Sequence, residues 1–319
     1  MKREEQPRQV RVRQREALMK TKASNAIRAV ADPHIGHGVA LSKMNAKVDR
    51  PIGMFDSGFG GLTVARSVID LLPSENLVYI GDTARYPYGP KPAGDVRSFA
   101  IELATSLVRD FNAKLIVVAC NTAASVALSE LQSSLSVPVI GVVEPGARAL
   151  VNATKNNRVA VIGTIGTIAS GAYEKAVAGV SREKSSEVSL IATACPGFVE
   201  FVERDETSGE AVTQLAEKLL APIRKADVDA LLLGCTHYPY LSQVIGRVMG
   251  PDVKLINSAD ATALVVRDAL AKNNIARSVE HGVQGLHEFY SSGDVRQFAE
   301  LGRRFLGPEL MSAKHWQIK

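Results

Sequence analysis

A chain of 319 residues, 46% hydrophobic and 22% charged, has the length of two ordinary domains and the composition of a folded globular protein. It holds no run of 18 apolar residues to cross a membrane and no apolar stretch near its start to serve as a signal peptide. The net charge of +5 resides in residues 1–50, where 12 Lys/Arg stand against 5 Asp/Glu; the remainder is near −2, so no nucleic-acid footprint is expected on the body of the protein.

Residues 1–50 read as a basic, flexible extension. Arg11, Arg13 and Arg15 alternate with polar residues, Asp32-Pro33-His34 and Gly36-His37-Gly38 break the chain, and one helix is conceivable around Glu16–Val30. A regulatory arm, a targeting segment, or a functional start near Met44 or Met54 are alternatives; Glu4, Glu5 and Glu16 weigh against a transit peptide.

From Pro51 onward, short apolar runs alternate with amphipathic stretches. The runs Ile52–Phe55, Leu77–Ile80, Leu115–Ala119, Val137–Val142, Arg158–Ile162, Val188–Thr193, Ala230–Leu233 and Val253–Ile256 predict strands. Leu62–Leu72, Asp95–Phe111 and Ala211–Lys225 predict helices between them. Continuous rather than alternating hydrophobicity fits parallel strands covered on both faces. The eight strands fall into two sets of four at nearly constant offset, pairing Ile52 with Val159, Leu77 with Val188, Leu115 with Ala230 and Val137 with Val253. The expected fold is therefore two similar α/β domains with mainly parallel sheets, related by pseudo-symmetry, with an active site between them. The expected division is 1–50, then 51–146 with 257–319 as one domain and 147–256 as the other.

Several strand ends carry polar groups suited to chemistry. Phe55-Asp56-Ser57-Gly58-Phe59-Gly60-Gly61 joins a strand to a helix, where backbone N–H groups can meet an anion. Thr63 stands where a dinucleotide fingerprint has its third glycine, and no P-loop Lys is present, so a small carboxylate fits better than a nucleotide. A tight turn capped by Asp56 or Ser57 would look the same. In Gly81–Gly89, Asp82 and Arg85 are expected to pair and order the loop, while Tyr88 and Gly89 can offer a ring edge and an N–H.

Cys120-Asn121-Thr122 follows the third strand and opens a helix, whose N-terminus favours a thiolate, and Asn121 and Thr122 can bond a zwitterion. Cys235-Thr236-His237 repeats the arrangement 115 residues on, with His237, of ordinary pKa about 6.5, placed to tune or deprotonate its thiol. Either cysteine alone is equally a buried packing residue. Three cysteines cannot build a disulfide framework and suit a reducing cytoplasm. Cys195, followed by Pro196, is expected to be a packing thiol, with Glu203 as a carboxylate behind His237. No Cys/His cluster has metal-ligand spacing, and the scattered His34, His37, His281 and His287 are expected to be surface or satisfied core histidines.

Together, FDSGFGGL (55–62), GDTARYPYG (81–89), CNTAA (120–124), GTIGTIAS (163–170), CPGFVEFVE (195–203) and LGCTHYPYL (233–241) resemble the glutamate racemases of the aspartate/glutamate racemase superfamily. The resemblance runs in family order over roughly residues 51–307 and includes the Thr-His after Cys235, where aspartate enzymes typically carry Glu. It departs at Glu200-Phe201, where Pro-Leu is common, and at Asp205, where Gly is usual. The resemblance implies proton transfer at Cα between Cys120 and Cys235 without pyridoxal phosphate or metal. In it Asp56 assists Cys120, His237 assists Cys235, and Glu203 stands behind His237. Asp56, Ser57, Tyr88, Gly89, Asn121, Thr122, Thr236 and His237 are then the substrate contacts. It further implies glutamate as substrate, D-glutamate for peptidoglycan in the bacterial cytoplasm, and a homodimer, with no nucleic-acid or membrane partner for the catalytic body. Competing readings are another superfamily isomerase such as an aspartate racemase, a Cys235–His237 hydrolase with Cys120 a bystander, and a partner-binding role for the basic arm, DNA gyrase included.

Overall fold

The computed structural model describes residues 47–278 and 283–318. Nearly all of the basic extension, with the helix considered at Glu16–Val30, and His34, His37 and His281 lie outside the described residues.

Two parallel sheets organise the described chain. The first contains β1 (Ile52–Asp56), β2 (Leu77–Gly81), β3 (Leu115–Val118) and β4 (Val139–Gly141). The second contains β5 (Arg158–Gly163), β6 (Ser189–Ala194), β7 (Ala230–Leu233) and β8 (Lys254–Asn257). The chain then returns to the first sheet with β9 (His287–Ser291) and β10 (Lys314–His315), giving the order β10-β9-β2-β1-β3-β4 beside β6-β5-β7-β8. The repeat expected from sequence offsets is thus a repeat of strand order. Ile52 lies opposite both Leu77 and Leu115, as Val159 lies opposite Leu190 and Ala230. Every residue of β1, β2, β3 and β7 is buried, which is why these strands read as unbroken apolar runs. The run Val137–Val142 shortens to β4 because Pro138 has no N–H for the ladder; its carbonyl still accepts from Ile116 N at 2.9 Å.

Helices α1 (Leu62–Leu71), α2 (Ala93–Arg109), α3 (Asn121–Ser134) and α4 (Val143–Ala153) follow the first four strands. The second set comprises α5 (Ile165–Ala169), α6 (Ala172–Glu183), α7 (Phe198–Glu203), α8 (Glu210–Arg224) and α9 (Ser242–Met249). Next come α10 (Ser258–Lys272), which packs on both α1 and α4, and α11 (Val295–Leu306). Among the described residues no helix is long and apolar enough to cross a membrane.

The N-terminal strand ends of the first sheet are closed by a buried polar cluster. Lys114 pairs with Glu75, both almost fully buried, and donates to Val48 O at 2.6 Å. The other Glu75 oxygen accepts from Arg277 N at 2.7 Å, and Arg277 Nε reaches Asp49 at 2.9 Å. The opposite, C-terminal strand ends are where open α/β sheets bind ligands.

Candidate active site

At those ends the two sets of strands touch. After β1 the chain turns at Asp56–Gly61, and Gly60 packs so closely on the turn after β7 that a Cβ there would lie 2.2 Å from Thr236 Oγ1 and 2.5 Å from His237 Nδ1. Thr236 Oγ1 lies 3.4 Å from Asp56 Oδ2. Asn121 Nδ2 donates to Tyr173 of α6 at 2.7 Å. Thr122 Oγ1 meets Thr164 at 3.0 Å and Thr167 at 3.2 Å, and Gly166 N donates to Gly89 O at 3.0 Å. The expected site residues from both halves therefore converge.

Cys120 is the N-cap of α3 and is buried. Its thiol donates to Ser57 Oγ at 3.8 Å, and Ser57 Oγ donates to Asp56 Oδ1 at 3.2 Å. Asp56 thus reaches this cysteine through Ser57. Asp56 itself accepts from Gly58 N at 3.1 Å and Gly61 N at 2.8 Å, so the carboxylate also shapes the turn. The helix N-terminus alone predicts an acidified thiol; in the structure burial, with the Asp56 charge added, pushes Cys120 up to about 12, outweighing the N–H groups of Ala123 and Ser57. It stands as a thiol at neutral pH.

Cys235 differs in its setting. It opens a turn that runs into a short 3₁₀ helix, Tyr238–Leu241, before α9, so no α-helix N-terminus points at it directly. His237 Nδ1 lies 3.9 Å from its sulfur, and His237 Nε2 lies 3.6 Å from Glu203 Oε1 on α7. Burial opposes a charge on His237, but Cys235, Glu203 and Asp56 together raise it to about 10. The imidazole is therefore a cation at neutral pH, positioned between the Cys235 sulfur and the Glu203 carboxyl group. Among the described residues no three or more His, Cys, Asp or Glu side chains form a metal-ligand group.

The neighbouring loops hold this frame. Asp82 accepts from Arg85 Nε at 2.7 Å, from the Tyr88 hydroxyl and from Ser292 Oγ at 2.7 Å, so the expected Asp82–Arg85 pair is present and Tyr88 is tied to it. Cys195 is buried, with its thiol 3.9 Å from Thr193 O and its carbonyl accepting from Tyr238 at 2.9 Å, as a packing residue. Asp205, the departure from Gly, takes a left-handed φ of 63°, a conformation Asp tolerates better than most side chains. His287, expected as a surface or satisfied core histidine, opens β9 half-buried, with its Nε2 buried and without a hydrogen-bond partner.

Thr164, Thr167, Tyr173 and Tyr86 also reach the site but were not singled out by sequence. Thr164 was reachable: it follows β5 as Ser57 follows β1, at the 107-residue offset of the repeat.

A profile of the Asp/Glu/Hydantoin racemase family matches residues 61–266. The chain is 48% identical over 260 residues to a glutamate racemase of Parafrankia sp. (strain EAN1pec), covering 82% of this chain and 92% of the relative. It is 47% identical over 260 residues to that of Corynebacterium glutamicum, covering 82% and 93%. Among solved structures, glutamate racemase isoform RacE1 of Bacillus anthracis superposes with a TM-score of 0.76 at 40% identity, over 84% of this chain and 97% of that one. The Francisella tularensis glutamate racemase, in complex with D-glutamate, gives 0.75 at 32%, over 85% and 98%. The chain belongs to the Asp/Glu/hydantoin racemase family of isomerases. Within that family its curated relatives place it among the glutamate racemases, enzymes that racemise an amino acid.

Proposed function

We propose that this chain interconverts L- and D-glutamate by two-base proton transfer, with Cys120 and Cys235 acting on opposite faces of Cα. The observation that carries this reading is the placement of two buried thiols at the C-terminal ends of the third strands of two like-ordered sheets, each backed by its own polar chain. On one side the chain is Cys120–Ser57–Asp56, on the other Cys235–His237–Glu203. One sulfur takes the Cα proton, the other delivers its proton to the far face, and the reverse reaction exchanges the roles. Each positioned acid–base contact supplies roughly 10²–10⁴-fold.

The remaining demand is to hold the amino acid and spread the carbanion charge onto its carboxylate. In this reading the turn after β1, Tyr88 and Gly89, Asn121 and Thr122, and Thr236 and His237 supply those contacts. Asn121 Oδ1 is buried without a hydrogen-bond partner, which suits an acceptor for the substrate ammonium. The reading takes residues 51–146 with 257–319 as one lobe and 147–256 as the other. It sets the enzyme in the bacterial cytoplasm, as a homodimer supplying D-glutamate for peptidoglycan.

The test is incubation with L-glutamate, and separately L-aspartate, in D2O, following optical activity and deuterium entry at Cα. Racemisation and exchange of glutamate alone are expected, with Cys120→Ala and Cys235→Ala each abolishing racemisation. Activity on aspartate instead moves the substrate, and near-normal turnover in either variant removes the two-thiol mechanism.

A further inference from the structure

Three buried polar atoms that lack a hydrogen-bond partner belong to one cluster: Tyr86 Oη, Glu203 Oε1 and His237 Nε2. They come from three separate elements, the loop after β2, α7 and the turn after β7. Tyr86 crosses from the first half of the chain to the second. Its ring enters beside Gly58, where a Cβ would lie 2.8 Å from it, and rests 6.3 Å from the Phe59 ring and 6.3 Å from the His237 ring. Burial and the nearby Glu203 charge raise the phenol above its ordinary range, so it remains a neutral donor. The charged or titratable groups around this cluster are Glu203 from α7, Cys235 and His237 from the turn after β7, and Asp56 from the end of β1.

We propose that Tyr86 is a positioning residue for the Cys235 half of the reaction: its hydroxyl donates to Glu203, and the carboxylate so fixed accepts from His237 Nε2 and keeps Nδ1 aimed at the Cys235 sulfur. This rests on the two-thiol reading above. The 3.6 Å separation of His237 and Glu203 shortens to a hydrogen bond with about half an ångström of movement, and catalytic contacts commonly tighten in this way when substrate is bound. A tyrosine hydroxyl sharing that carboxylate limits the directions in which it can settle. Phe at this position would keep the ring contacts and remove only the donor.

The test is Tyr86→Phe in the full chain, assayed on both enantiomers of glutamate with protium and deuterium at Cα. The expected result is a fall in kcat of about 10–100-fold, the worth of one hydrogen bond to a charged group, with KM changed by less than about threefold. The primary isotope effect should rise only for the enantiomer that Cys235 deprotonates, because only that proton transfer is slowed. Tyr86→Phe should also add little to Glu203→Gln, since both act on one contact. A Tyr86→Phe enzyme with wild-type kcat, a loss that leaves both isotope effects unchanged, or losses that add in the double variant would overturn the proposal. A wild-type enzyme inert towards glutamate overturns the parent reading as well; an active wild type with an unaffected Tyr86→Phe overturns this one alone.

Discussion

Gly60 is the residue on which the meeting of the two halves depends most directly, and replacing it with alanine gives a measurable dose of displacement. The added methyl would lie 2.2 Å from Thr236 Oγ1 and 2.5 Å from His237 Nδ1, against 3.4–4 Å for ordinary contact. The Thr236–His237 turn must therefore retreat by about 1 Å. It has little freedom to do so by rotating a side chain: His237 is buried, with the Tyr86 ring 6.3 Å away and the Phe305 ring 5.9 Å away. A retreat of about 1 Å at a reacting group costs on the order of 10²-fold in kcat/KM, or about 2.7 kcal/mol of barrier. Overpacking should also lower stability by about 1–3 kcal/mol. Polarimetric rates for both enantiomers and thermal melts measure the two effects separately. Gly94→Ala is the control, because a Cβ there meets nothing within 4 Å. A Gly60→Ala enzyme within threefold of wild type would refute the claim that this contact sets the geometry of the Cys235 side.

Lys114→Met should cost about 3–5 kcal/mol in urea titration, because it leaves the Glu75 carboxylate buried without its cation; a loss under about 1 kcal/mol would contradict that burial. Alkaline stability should depend on the packing thiol. Burial first, and then the charge of Cys235, push Cys195 up to about 12, above its unfolded value of about 8.5. Its contribution is therefore complete below about pH 8.5 and is lost as pH rises towards 12. Cys195→Ala should accordingly lose less stability than the parent between about pH 8.5 and 11, whatever its stability at pH 7; parallel urea midpoints across that range would refute it.

The legibility of this fold follows from its burial. β1, β2, β3 and β7 carry apolar side chains on both faces and so announce themselves as continuous runs. β9 does not: His287-Glu288-Phe289-Tyr290-Ser291 mixes charged and aromatic residues, and three of its five positions are only partly buried. β10 is two exposed residues, below any periodicity. In the site, both thiols were visible because each follows an apolar strand by one or two residues. The Ser57 bridge between Asp56 and Cys120 was not, since it depends on side-chain rotation at a turn. Nor was the approach of Tyr86 to Glu203 and His237, which joins residues separated by more than a hundred positions and leaves no local pattern.

The return of the chain to its first sheet bears on the order in which the protein can fold as it is synthesised. β2 pairs with β9, Leu77 opposite His287, so one side of β2 waits for residues made 210 positions later. At roughly 5–20 residues per second that is on the order of 10–40 s with an apolar strand edge lacking its neighbour. Such an edge is open to pairing with other chains. The second sheet, β5 to β8, is built from one uninterrupted stretch, residues 158–257, and can close as soon as that stretch has emerged. The half of the molecule read second by the ribosome is therefore the one whose sheet can be finished first.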